Sequence, residues 1–144
     1  MFVFKLPSSS LIYILRYKLF DLSSVWPSEK ILGNYMHRKE IDRRELFLST
    51  KVWPIDLGFK ETEKIFFNSL NNLKTSYLDA FLIQWPKCYS SLGMMDCSQA
   101  SNKTWEESWE FLQKMYAQGS ILSNLSFTGL YLSIFFSWRI IVYI

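Results

Sequence analysis

Three apolar runs of strand length, Tyr17–Asp21, Leu46–Trp53 and Tyr77–Trp85, are each followed by a stretch with helical periodicity. That alternation constrains the fold more than any other feature. Successive parallel strands need a crossover long enough to hold a helix, so strands that alternate with helices build a parallel sheet covered by them. The helical stretches are Ser28–Arg38, about 60–74, and Trp105–Gln118.

In the first helix Ile31, Leu32, Tyr35 and Met36 recur at spacings of three and four and predict one apolar face, with Pro27 and Ser28 as start residues. In the second, Ile65, Phe66, Ser69, Leu70 and Leu73 fall on one side. The third opens on Thr104-Trp-Glu-Glu107, a capping-box pattern, and predicts a buried stripe of Trp105, Trp109, Leu112 and Met115 or Tyr116 before Gly119 stops it. A long loop, Lys87–Lys103, separates the last strand from this helix.

The chain's 144 residues, 49% hydrophobic and 18% aromatic, are enough for one core, which argues against disorder. The formal charge is only +3, and its basic residues are interleaved with acids (Lys39, Glu40, Asp42, Arg43, Arg44, Glu45), so no nucleic-acid partner is expected. Cys88 and Cys97 have no Cys-x-x-Cys spacing and the single histidine, His37, is remote, so no metal site is expected. Two free thiols in a reduced, cytoplasmic setting are the expectation, because a disulfide would imply a secreted context.

The first twenty residues carry Lys5, Arg16 and Lys18 without an acid, but Arg16 cuts the apolar run Leu11–Leu15 too short for the core of a secretory signal. At the other end, Ser120–Trp138 gives nineteen uncharged positions, long enough for a membrane span but diluted by serines, Asn124 and Thr128.

Two strands each place one polar residue near their C-terminal end, Lys51 and Gln84. In parallel α/β proteins that edge is where side chains from separate strands converge on a ligand.

Four stretches carry a resemblance to a known family. They are Phe20-Asp21-Leu22-Ser23 with Ser28-Glu29-Lys30-Ile31-Leu32-Gly33, then Arg44-Glu-Leu-Phe-Leu-Ser-Thr-Lys51, then Tyr77-Leu-Asp-Ala-Phe-Leu-Ile-Gln-Trp-Pro86, and finally the helix Thr104–Gly119. In this order they resemble the aldo-keto reductases, (β/α)8 barrels that use NADP(H) to reduce carbonyls. The resemblance implies a partial TIM barrel of about three to four βα units, with segments 1–19 (divergent), 20–119 (reductase-like) and 120–144 (a divergent hydrophobic tail). A closed barrel needs about 250 residues, so the chain reads as a truncated member.

By that resemblance Asp21 and Lys51 match the family's catalytic aspartate and lysine. The proton-donating tyrosine falls at Trp26 and the carbonyl-orienting histidine at Gln84, while Ser123 and Asn124 echo the pair that holds the nicotinamide carboxamide. A lysine ammonium lowers a phenol's pKa toward the working range, whereas an indole N–H is far too weak an acid to replace it. Tyr17 and Tyr35 are the substitutes to weigh. The plain reading of Asp21 and Lys51 is an inherited ion pair, and of Trp53 and Trp85, core or rim packing.

The expected function is thus aldo-keto reductase-like, acting on a small aldehyde, ketone or sugar carbonyl, with weak or absent activity. Two further readings are a non-catalytic product that binds a full-length relative or a chaperone through an exposed sheet edge, and a protein held at a membrane by 120–144.

Overall fold

The computed structural model describes residues 18–89, 96–100 and 102–126. Four strands, β1 (Leu19–Asp21), β2 (Phe47–Val52), β3 (Leu78–Ile83) and β4 (Ile121–Ser126), form one sheet in sequence order with every neighbouring pair parallel. Helices α1 (Ser28–Lys39), α2 (Phe59–Leu73) and α3 (Trp105–Ala117) occupy the three crossovers. This is the expected βα series, with bounds within two residues of those read from periodicity for the helices. The expectations for Tyr17, a leader within 1–17, Gly93 and the tail from 127 onward fall outside the described residues.

The core lies between the helices and one face of the sheet. Leu48, Val52, Phe81 and Ile83 from the strands meet Leu32 and Met36 of α1, Phe66 and Leu73 of α2, and Phe111, Leu112 and Met115 of α3. Phe66 is at its centre, with ring centroids 5.4 Å from Phe81 and 5.6 Å from Phe111, both edge-on as ring quadrupoles prefer. Fully burying such a side chain contributes roughly 1.5–3 kcal/mol.

Two polar knots hold the layers together. Glu29, 1% exposed, accepts hydrogen bonds from Thr50 Oγ1 of β2 (2.6 Å) and from Ser69 Oγ (2.9 Å) and Asn72 Nδ2 (3.2 Å) of α2. At the opposite end Asp79 accepts from Arg43 Nη2 (2.6 Å) and from the Leu48 amide (2.8 Å), while the guanidinium lies 4.0 Å over the Tyr77 ring. Both knots satisfy groups whose burial without partners would cost several kcal/mol.

Four expectations need correction. Ile31 is 39% exposed, so the buried face of α1 is Leu32, Tyr35 and Met36 with Gly33. In α3 the buried stripe is Ser108, Phe111, Leu112 and Met115; Trp105 and Trp109 are only partly buried and Tyr116 is 51% exposed. The cause is Ser108, whose Oγ accepts from the Gly58 amide and from Thr62 Oγ1, both at 2.8 Å, and so turns a polar position inward. Thr104 stands at the N-cap of α3 but makes no side-chain capping bond. Finally, Cys88 and Cys97 are joined in a disulfide, with Cα atoms 5.7 Å apart, inside the usual bridging range. The argument the free thiols lent to a cytoplasmic location falls with them.

The segment taken as tail also starts inside the sheet, because β4 pairs along β3 from Ile121 onward. Among the described residues no helix is long and apolar enough to cross a membrane.

Gly33 fixes how closely α1 approaches α2. A Cβ there would stand 2.1 Å from the Asn72 carbonyl oxygen and 2.7 Å from Leu73 Cα, both backbone atoms that cannot rotate aside. Gly119, at φ +71°, has open space around it, so a side chain there meets only backbone strain. Gly33→Ala should therefore lose upward of about 2 kcal/mol in urea unfolding, and Gly119→Ala about 1. Equal losses would show that the helices do not pack as closely as described.

Candidate active site

Strand alternation decides which side chains reach the face turned away from the helices. Thr50 of β2 points to Glu29 of α1 and Phe81 of β3 to Phe66 of α2, so their neighbours Ser49, Lys51, Ala80 and Leu82 point the other way. Register then aligns Asp21 with Ser49, Ser49 with Ala80, Lys51 with Leu82, and Ala80 with Ser123. Asp21, at the end of β1, thus comes to lie beside Lys51, thirty residues away, near the C-terminal edge of the sheet.

Lys51 Nζ donates to Asp21 Oδ1 at 2.5 Å and to the Leu22 carbonyl at 2.9 Å. The same Asp21 oxygen accepts from Ser49 Oγ at 2.7 Å. The lysine side chain is 14% exposed and the aspartate 55%. The ammonium is thus largely withdrawn from water, while the carboxylate faces it, which makes this more than a freely solvated surface pair. Ser49 was absent from the sequence-based site, although its spacing of two from Lys51 on a strand places both on one face.

The loop after β1 is latched to the end of β2. Ser24 Oγ donates to the Lys51 carbonyl (3.2 Å), Trp53 Nε1 donates to Ser23 Oγ (2.6 Å), and the Trp26 amide closes a turn on the Ser23 carbonyl (3.2 Å). Trp53 therefore serves as rim structure. Trp26 itself is 54% exposed. Gln84 directly follows β3, its amide bonded to the Val52 carbonyl at 3.1 Å. Among the described residues, neither the Trp26 indole nor the Gln84 side chain hydrogen-bonds to Lys51, and no tyrosine hydroxyl does.

Tyr35, weighed as a substitute proton donor, is buried in the helix-side core, across the sheet from Lys51. Trp85 Nε1 is buried without a hydrogen-bond partner. Ser123 is half-buried on β4, and Asn124 stands one position further along, in register with Phe81. A cavity of about 400 Å³, lined by Gly33, Met36, His37, Glu40, Arg43 and Lys74 among others, opens where the helices end and the strands begin, at the other end from Lys51.

Just beyond β2, at the Lys51 end of the sheet, burial pushes the Asp56 carboxyl above its ordinary value, with nearby Lys64 pulling it back and Glu61 adding to the rise. Glu61 is held below its usual range by its hydrogen bond from Lys103, whose Nζ lies 2.9 Å and 3.1 Å from its two oxygens.

A family profile described as the Aldo/keto reductase family matches residues 13–128. The chain is 30% identical over 105 residues to the glyoxal reductase of Bacillus subtilis (strain 168), covering 73% of this chain and 33% of that protein. It is 29% identical over 123 residues to the NAD(P)H-dependent D-xylose reductase of Candida tenuis, covering 74% and 38%. The crystal structure of an aldo/keto reductase from Brucella melitensis superimposes with a TM-score of 0.62 at 29% identity, covering 79% of this chain and 40% of that one. A Bombyx mori aldo-keto reductase crystallised with NADP gives a TM-score of 0.60 at 23% identity, over 76% and 36%, and bears on the fold alone. The chain spans about a third of the length of the curated relatives it matches.

That cofactor can be set against the residues at hand. Of the strand side chains turned toward Lys51, only Lys51 is cationic, and it is engaged by Asp21 and the Leu22 carbonyl. Ser123 is neutral, as is Gln84 beyond β3. The described inner face does not fit a whole dinucleotide phosphate, whose several negative charges need unpaired donors.

Asp56 gives a pH test of this edge. Because its pKa is raised on folding, the folded state takes up a proton at a higher pH than the unfolded chain, and ionisation costs stability above the folded pKa. Asp56→Asn should therefore stabilise the protein at neutral pH. The gain should vanish as pH falls through the folded pKa toward the ordinary aspartate range. Urea midpoints of both proteins across that range check it, and a gain that persists at the acid end would contradict the burial argument. With the profile match and the retained strand and helix motifs, this chain belongs to the aldo/keto reductase family and covers a partial segment of its barrel.

Proposed function

We propose that this chain is an aldo-keto-reductase-like oxidoreductase by lineage that keeps the lysine–aspartate half of the catalytic machinery and has lost the proton-donating half. One observation carries the reading. Lys51 is seated as an activating lysine would be, on Asp21 Oδ1 and the Leu22 carbonyl, yet no phenol lies among its hydrogen-bond partners.

Reducing a carbonyl requires a proton for the developing alkoxide, and an ammonium beside a phenol supplies it by lowering the phenol's pKa. At position 26, where the resemblance puts the tyrosine, stands an indole, whose N–H does not release a proton in this range. Gln84 keeps an amide that can donate a hydrogen bond to a carbonyl oxygen but cannot titrate. Asp21, Lys51 and Gln84 are thus proposed to orient and polarise, with Trp26 unable to complete the transfer. On the same reading the reductase body occupies 20–119, flanked by 1–19 and 120–144, with β4 joining the sheet from the second flank. NADP(H) is the cofactor the family would bring, although the described inner face has no unpaired cation for its phosphates, and Ser123 on that face, with Asn124 next to it in sequence, is the proposed contact for its carboxamide.

The substrate class is a small carbonyl compound, a reading that draws on relatives named glyoxal reductase and methylglyoxal reductase. Purified protein mixed with NADPH and glyoxal, methylglyoxal or D-xylose should leave the nicotinamide absorbance unchanged. Turnover that Lys51→Met abolishes would overturn the proposal, because it would require a working proton donor beside that lysine.

A further inference from the structure

We infer that the Cys88–Cys97 disulfide is a redox-operated clasp: a dithiol that cleaves it releases Trp85 from its buried position, while the sheet and its helices stay folded. The bridge joins the chain just beyond β3 to the short turn Cys97–Gln99 ahead of α3, at the Lys51 end of the sheet. Both cysteines are half-buried, which leaves them open to a thiolate arriving at the surface. Among the described residues, none from Gln84 to Lys103 belongs to the hydrophobic core or to a strand ladder. Opening the bridge therefore removes no core contact, which separates a clasp from a staple that the fold needs.

Trp85 supplies the drive. Its Nε1 is buried without a hydrogen-bond partner, and a buried donor left unsatisfied forfeits the hydrogen bond that water would give it. Only Pro86 and Lys87 separate Trp85 from Cys88, and the proline ring fixes one of the few torsions between them, so a tether on Cys88 also restrains the indole. Two other ties bound the stretch that is released. The Gln84 amide is held on the Val52 carbonyl at 3.1 Å and Lys103 Nζ on Glu61 at 2.9 Å, so release ends at Gln84 on one side and short of α3 on the other. The chemistry is thiol–disulfide exchange. One thiolate of the dithiol attacks a cysteine sulfur, the S–S bond breaks, and the other cysteine sulfur leaves as a thiolate that takes up a proton. The second thiol then displaces the first cysteine from the mixed disulfide. The dithiol ends as a cyclic disulfide, and its two electrons and two protons end on the cysteines.

The test starts from the purified 144-residue chain oxidised with glutathione disulfide, then adds dithiothreitol without denaturant. Tryptophan emission, alkylation by iodoacetamide read by mass, and far-UV circular dichroism are followed together. The two cysteines of the sequence should pass from none alkylated to both, the emission maximum should move to longer wavelength, and the far-UV spectrum should hold. Renewed oxidation should restore the starting emission. Of the chain's six tryptophans only one is replaced in Trp85→Phe, and that variant should lose the shift. The double variant Cys88→Ser, Cys97→Ser should emit at the longer wavelength from the outset and ignore the reductant. A bridge that fails to form or resists dithiothreitol until the chain is unfolded, an emission that does not move or does not return, a shift that survives Trp85→Phe, or a far-UV signal lost on reduction would each overturn the inference.

Discussion

A buried carboxylate sets which way β2 faces. Glu29 sits at the start of α1 with 1% of its surface exposed, and it is tolerable there because Thr50, Ser69 and Asn72 turn their donors toward it. Thr50 must then point to the helices. Strand alternation leaves its neighbours Ser49 and Lys51 no choice but the opposite face, where Asp21 waits at the end of β1. One hydrogen-bonded acid thus joins α1, β2 and α2 and decides where the only lysine of the strand can go. Gly33, four residues on, allows the helix that carries Glu29 to lie directly against the end of α2.

The strand–helix alternation was legible from apolar period and Lys51 from its position near a strand's C-terminal end, whereas Asp21 was reached only through the family resemblance. What escaped reading depended on tertiary partners. Apolarity alone assigns Trp105 and Trp109 to the buried stripe of α3, but Ser108 turns inward because the Gly58 amide and Thr62 need an acceptor. The Cys88–Cys97 bridge escaped for a similar reason. Nine residues of separation say nothing about distance, and only the folded chain shows the two Cα atoms 5.7 Å apart. β4 was hidden in an uncharged stretch whose hydropathy resembles a tail, and pairing with β3 identifies it as part of the sheet.

Within the site the division is chemical. The positions that supply charge, Asp21 and Lys51, are in place and hydrogen-bonded, and Ser49 and the Leu22 carbonyl complete their surroundings. The positions that the family resemblance, on the reading proposed above, assigns to proton transfer and carbonyl orientation carry an indole, Trp26, and an amide, Gln84. The place of Lys51 is fixed by the packing of β2, through Thr50 and Glu29, whichever group stands opposite it.

That claim is most directly tested by a double-mutant cycle on Asp21→Asn and Lys51→Met, read as urea unfolding free energies of the four proteins. Side chains that share a hydrogen-bonded ion pair in this partly buried setting should couple by about 0.5–3 kcal/mol. Losses that add to within about 0.3 kcal/mol would mean that the two groups do not meet, and that the register placing Lys51 on the inner face is wrong.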